Sequence, residues 1–287
     1  MDIENTYGEG MTELELAKAP QHLYLDLLKQ NLTRVGYEDT HRVLGRHTQD
    51  PKFRALYRLL APLLRAMRLE ISRVVDYDPN GRELGLDWPA EAETMIGVRR
   101  LDHLEECTVA VIEEGIPGDL VETGVWRGGA SIFMRAILKA YGETDRLMWL
   151  CDSFQGIPEP VHEADIESRV VNHEDLIVPL EQVQQNFARY GLMDDQVRFL
   201  KGWFSDTLPT APIEQIALLR LDGDQYVSTM DALDALYPKL SSGGFVIVDD
   251  YGIIKACRQA VADYRDAHGI TDPIHDIDGS GAFWRKA

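Results

Sequence analysis

The sequence predicts an α/β fold: a mostly parallel sheet with helices on both faces, preceded by an N-terminal helical extension. Three observations carry this. From Gly118 onward, short apolar runs alternate with helix-sized segments through the whole C-terminal two-thirds of the chain. A glycine-rich turn, ETGVWRGG, follows the first of these runs and opens a helix. Two further runs, 217–221 and 245–248, each end in carboxylates and are separated by one helix-sized segment, as a strand, a crossover helix and a parallel strand require.

In chain order, residues 1–20 are polar, and the opening MDIENTYGEG is acidic without an apolar run, so no signal peptide is expected. From His22, LYLDLLKQNL places Leu23, Leu27, Leu28 and Leu32 on one side of a short helix. Residues 51–75 form a second helical region, with Phe53, Leu56, Leu60, Leu63, Met67, Ile71 and Val74 at the helical period, and Pro62 is expected to kink or split it. Its polar face carries Lys52, Arg54, Arg58, Arg65, Arg68 and Arg73. This basic face is read as solvated and paired with the acidic body or a dimer mate rather than laid on a membrane. The turn-formers of DYDPNGRELGL link residues 1–86 to a main domain of residues 87–287.

After a polar loop, Leu101, Leu104, Val109 and Ile112 mark a helix that Gly115 stops. Strands are expected at 120–122, at 147–151 ending in Asp152, within QVRFLKGWFSDTLP, and at 217–221 and 245–248, with a closing edge strand at 282–285. Helices are expected from Ala130 or Ser131, in VQQNFARYGL and in IIKACRQAVADYRDAHG. Residues 159–180 hold many acids, show no clear period and suit a lid.

The net charge of -19 excludes non-specific binding to nucleic acid or an anionic membrane, each of which needs a positive face. No run approaches 18 apolar residues, so a soluble cytoplasmic protein is expected. Cys107, Cys151 and Cys257 lack CxxC spacing and read as reduced thiols, no HxH or HxxxH pair suggests zinc, and no GxSxG elbow is present.

The sharpest constellation is Asp222, Asp249 and Asp250, with Asp224 beside it. Carboxylates brought together at adjacent strand ends repel unless a cation neutralises them, which points to a hard divalent ion such as Mg²⁺. Asp222 can double as general base; as single residues these aspartates also suit turns and helix caps. In the glycine turn, three residues separate Gly124 from Gly128, the wrong spacing for a dinucleotide fingerprint. Glu122 would repel a pyrophosphate and suits a sulfonium or an amino-acid cation, which favours S-adenosylmethionine over NAD. Asp152 stands where an acid can accept from both ribose hydroxyls, with Ser153, Phe154 and Gly156 lining the same pocket. Trp203, Ser205 and Asp206 follow the third strand, where an adenine ring can stack and hydrogen-bond.

At these residues the chain resembles the macrocin O-methyltransferase family. The matching stretches are LYLDLLKQNL, DWPAEAETMIG (87–97), LVETGVWRGGAS (120–131), CDSFQGIP (151–158), LRLDGDQYVST (219–229), YPKLSSGGFVIVDDYG (237–252) and the GAFWRK tail. Residues 42–80, with the basic helix, depart from the family pattern. The resemblance implies a Rossmann-like class I methyltransferase with a seven-stranded sheet, using S-adenosylmethionine and Mg²⁺ to methylate a hydroxyl of a sugar on an antibiotic-type glycoside. It implies metal binding by Asp222, Asp249 and Asp250, with Asp222 as base. It also implies cofactor contacts from Thr94, Met95, Glu122, Gly124, Ser131, Asp152, Ser153 and Asp206, of which Thr94 and Met95 rest on the resemblance alone. The resemblance extends the lid to residues 155–180, closing over the acceptor. A homodimer or higher homo-oligomer through the N-terminal helices is expected. The alternatives are a metal-dependent catechol-type O-methyltransferase, a nicotinamide-dependent dehydrogenase and a non-catalytic scaffold.

Overall fold

The computed structural model describes residues 13–37, 41–43, 51–69, 71–74, 76–87, 89, 91–168 and 174–287. Its elements run α1 (Glu13–Thr33), β1 (His41–Val43), α2 (Pro51–Met67), β2 (Ser72–Val74), α3 (Pro79–Glu83), α4 (Val98–Glu113), β3 (Asp119–Thr123) and α5 (Gly129–Ala140). There follow β4 (Met148–Asp152), α6 (Glu163–Ser168), α7 (Leu180–Arg189), β5 (Val197–Lys201), α8 (Phe204–Thr207), β6 (Ile216–Leu221), α9 (Tyr226–Leu236), β7 (Leu240–Val248), α10 (Lys255–His268), β8 (His275–Asp276) and β9 (Ala282–Arg285).

Seven strands form one sheet in the order β5-β4-β3-β6-β7-β9-β8, with β1 and β2 a separate antiparallel ribbon. The first five are mutually parallel, and β9 and β8 close the edge antiparallel. The chain steps outward from β3 to β4 and β5, then returns to β6 on the other side of β3. That reversal opens a crevice at the carboxyl ends of β3 and β6, where such sheets take their ligands. The strands' period of two divides the core between the faces: Leu120 and Leu218 pack in one cluster with Leu104, Phe133 and Phe187, and Val121 and Leu219 in another with Leu233, Val261 and Trp284.

Several expectations are corrected. On α1 the buried stripe is Leu25, Leu28 and Leu32, and Leu23 and Leu27 are exposed. The helix is apolar on more than one side, and its seat against α4 selects the side that carries Lys29, whose ammonium meets Asp102 at 2.6 Å and Glu105 at 3.0 Å. Because Leu25, Leu28 and Leu32 share the cluster of the main sheet, α1 is built into that core. The second helix is unbroken at Pro62 and ends at Met67, where Arg68 adopts φ +54° and turns the chain; Ile71 and Val74 lie beyond it, and Ser72–Val74 pairs with His41–Val43. Helix α5 begins at Gly129. The two-residue strand β8, polar and exposed, gave no apolar signal to read. The expected lid contains α6 and a 3₁₀ turn at Glu174–Leu176, and its residues 169–173, His173 among them, lie outside the described residues. Among the described residues no helix is long and apolar enough to cross a membrane.

Candidate active site

Strands β6 and β7 lie side by side and parallel, with Leu221 opposite Val248, so the residues that follow them emerge together. Their backbones stay tied to the sheet: the Asp222 N–H donates to the Thr123 carbonyl at 2.8 Å and the Asp249 N–H to the Leu221 carbonyl at 2.9 Å. From these anchors Asp222, Asp249 and Asp250 bring one carboxylate oxygen each within 4.8 Å of one another. Asp250 Oδ2 is buried and has no hydrogen-bond partner. Hard oxygen donors converging on one point, one of them buried and unpartnered, fit a divalent cation such as Mg²⁺.

Two arginines enter the same cluster. Arg220, on β6, donates to Glu122 at 2.6 Å and to Asp222 at 2.8 Å, and it also reaches Asp249. Arg100, in the first turn of α4, holds the other oxygen of Asp249 at 2.5 Å. Burial pushes the Glu122 carboxyl up to about 7, partly offset by Arg220 and by the hydrogen bond from Ser131. Burial likewise raises Asp224 to about 8, with the charges of Asp222 and Asp249 adding to it, and lifts Asp222 and Asp250 above the usual carboxylate range. Among the described residues the Asp224 carboxylate takes no hydrogen bond or ion pair.

The glycine turn is shaped by close approach. Gly124 has φ +84°, and a Cβ there would collide with the Asp222 carbonyl, so only glycine lets the end of β3 lie against the end of β6. Asp152 ties this turn to β4: its Oδ2 accepts from the Val125 N–H and its Oδ1 from the Phe154 N–H, both at 2.6 Å. Trp126, at φ +47°, donates from its indole to the Asp175 carbonyl at 2.8 Å and so joins the turn to the 3₁₀ turn of the expected lid.

Two confluent cavities open here. One of about 240 Å³ is lined by Met95, Gly124, Asp152, Ser153, Gly156, Trp203, Ser205 and Asp222. The other, of about 480 Å³, is lined by Thr94, Met95, Glu122, Asp222, Asp249 and Asp250. Asp222, Asp224, Met95 and Trp126 face both. Three of the residues expected to touch the cofactor lie outside both linings. Ser131 is buried behind Glu122 and donates to it. Phe154 turns into the core, its ring 6.3 Å from that of Phe199. Asp206 is exposed beside Ser205. The spacing of motifs had not pointed to Arg100, Arg220 or Asp231, which lines the smaller cavity from α9. A signal for Arg220 was present: a lone cation inside the apolar run IALLRL has to be paired.

Comparison with known proteins follows the same lines. Residues 21–286 match the profile of the macrocin-O-methyltransferase (TylF) family. The chain is 52% identical over 267 residues, 92% of each protein, to the 8-demethyl-8-(2,3-dimethoxy-alpha-L-rhamnosyl)-tetracenomycin-C 4'-O-methyltransferase of Streptomyces olivaceus. It is 47% identical to the mycinamicin III 3''-O-methyltransferase of Micromonospora griseorubida, over 92% of this chain and 96% of that protein. The solved structure of the O-methyltransferase NovP superposes with a TM-score of 0.79 at 44% identity, over 93% of this chain and 99% of that one. A site at the sheet's reversal, a glycine turn unsuited to dinucleotides and a match along nearly the whole chain agree, and this chain belongs to the macrocin O-methyltransferase family.

Proposed function

We propose that the chain is an Mg²⁺-dependent enzyme that moves a methyl group from S-adenosylmethionine to a sugar hydroxyl of a natural-product glycoside. The observation that carries this is the pair of confluent cavities meeting at Asp222, one walled by the glycine turn and Asp152, the other floored by three converging carboxylates. When bound, S-adenosylmethionine supplies an electrophilic methyl, and Mg²⁺, held by Asp222, Asp249 and Asp250, supplies the positive charge that acidifies an acceptor hydroxyl. The smaller cavity takes the nucleoside, with Asp152 toward the ribose and Trp203 and Ser205 toward the base. The larger takes the acceptor. The protein's own contribution is positioning: the rigid ends of β3, β6 and β7 hold donor and acceptor in line, and Asp222 accepts the hydroxyl proton.

One observation favours Asp224 as a second candidate for that proton. It faces both cavities with an unpaired carboxylate, whereas Asp222 is engaged by Arg220 at 2.8 Å. The rhamnosyl acceptor named for the Streptomyces olivaceus relative supports a deoxysugar over a catechol. The exposed stripe Leu59, Leu63 and Met67 on α2 supports a homo-oligomer in which a second copy covers it. We infer a cytoplasmic enzyme that acts without a nucleic-acid or membrane partner, a reading the net charge of -19 supports.

The test is methyl transfer from labelled S-adenosylmethionine to a rhamnosylated polyketide and, separately, to a catechol. Transfer to the sugar alone is expected, abolished by EDTA or by Asp249→Ala and restored to the wild type by Mg²⁺. Full turnover by both the EDTA-treated enzyme and the variant would remove the metal from the mechanism. Asp224→Asn assigns the base, because Asp224 is not among the proposed ligands: lost turnover with Mg²⁺ binding intact identifies Asp224, and retained turnover leaves the role to Asp222.

A further inference from the structure

Arg220 lies two residues before Asp222 on β6, a strand buried along its whole length, and its own side chain is 2% exposed. A cation this deep is costly unless its surroundings neutralise it. Here Glu122, Asp222 and Asp249 do so together, and the guanidinium in turn offsets their mutual repulsion. The backbones of Asp222 and Asp249 are held by the sheet's own hydrogen bonds, so the points from which the two side chains project do not depend on the arginine. What Arg220 adds is charge, delivered to two of the carboxylates proposed to hold a metal.

We propose that Arg220 is a positioning residue that acts as the resident counter-cation of the carboxylate ring, and that it thereby weakens the hold of the ring on a divalent ion. The inference rests on the metal reading given above. Before a metal arrives, the guanidinium keeps Asp222 and Asp249 gathered. A bound ion would share the carboxylates with Arg220, and at Asp249 with Arg100 as well, inside a poorly screened site where like charges repel. Coupling between two bound cations is reciprocal, so removing the arginine tightens metal binding as surely as the metal relieves the loss of the arginine. A site tuned this way stays assembled without its ion and exchanges it readily.

The experiment titrates the whole chain with MgCl2 by calorimetry and melts it in EDTA and in MgCl2, for the wild type, Arg220→Met and Arg220→Lys. The wild type is expected to melt within a few degrees in the two buffers. Arg220→Met is expected to bind Mg²⁺ at least tenfold more tightly and to gain over 5 °C more from Mg²⁺ than the wild type gains. Arg220→Lys, which keeps the charge, is expected to return the Mg²⁺ affinity toward that of the wild type. An arginine that only braces the fold predicts an equal loss of melting temperature in both buffers and an unchanged affinity, and that result would overturn the proposal. So would an Arg220→Met chain that folds in neither buffer, since the metal then does not replace the charge. A wild type that binds no Mg²⁺ would remove the metal reading itself, which is distinct from a wild type that binds Mg²⁺ with the same affinity as Arg220→Met.

Discussion

Gly124 shows how one residue positions the site. Its φ of +84° is strained for any side chain, and a Cβ there has no room against the Asp222 carbonyl. Left-handed backbone costs a non-glycine residue about 1–2 kcal/mol, and here the collision adds displacement of the strand end that carries Asp222. Gly124→Ala is therefore expected to lower the melting temperature by several degrees and to cut methyl transfer more than tenfold, while Gly142→Ala, at φ +72° with open space around it, costs stability with little effect on turnover. Equal turnover losses in the two variants would contradict this account. At this scale the sequence was legible wherever a residue's neighbours in the chain reveal its role, as with acids just past apolar runs and glycines just past a strand. It was least legible where partners lie far apart in sequence. Arg100 meets Asp249 across 149 positions, and no local pattern announces that contact. Phe154 stands in a motif stretch yet fills the core: at φ +55° it packs its ring near Phe199 and not along the cavity it was expected to line.

Among the elements, α9 follows the acids of β6 directly, and its N-terminus is satisfied from outside. Gln225 occupies the cap position without a capping side-chain bond. Instead Asp165, fully buried on α6, accepts from the Tyr226 N–H at 2.5 Å and the Val227 N–H at 3.3 Å. The Gln225 amide meanwhile donates to the Pro158 carbonyl at 3.0 Å, so the residue just before the 159–180 segment expected to be a lid is fastened to the helix beside Asp224. Loss of a helix cap costs about 0.5–2 kcal/mol, and Asp165→Ala is expected at the upper end because it leaves two amides without their acceptor. Urea unfolding measures that loss; an unchanged midpoint would mean that water serves those amides equally well. Helices and strands with a strong period were readable, down to the strand Ala282–Arg285, although it is not the edge expected, since β8 pairs along its outer side. The packing face of α1 was not, since apolar residues on more than one side leave the choice to whatever the helix docks against. Beyond the end of α2 the chain pairs as β2 with β1, about thirty residues earlier in the sequence, and no local period announces that pairing.

Taken as a whole, the molecule concentrates buried acids at one point, and its stability should therefore depend on pH in a particular direction. Glu122 is pushed up to about 7 and Asp224 to about 8, both by burial first, against roughly 4.3 and 3.9 in an unfolded chain. Between those values the folded chain holds protons that the unfolded chain has released, so stability falls as pH rises through the window. His103 works the other way: burial lowers it to about 4, and its contribution to stability rises with pH up to roughly 6.5, the value for an unfolded chain. Above that point His103 is neutral in both states, and the acids set the slope. In EDTA the melting temperature is therefore expected to decline from pH 6.5 to 8. It goes on falling above that, as the thiols of an unfolded chain ionise at about 8.5 while burial keeps Cys107, Cys151 and Cys257 protonated. At the proposed site Mg²⁺ would bind the deprotonated ring, so its affinity should rise from pH 6.5 to 8 and its addition should flatten the decline. A melting temperature that climbs from pH 6.5 to 8 in EDTA would mean that Glu122 and Asp224 are already ionised in the folded chain. The two arginines would then neutralise the ring more fully than burial opposes it, and the need for a metal at that site would weaken accordingly.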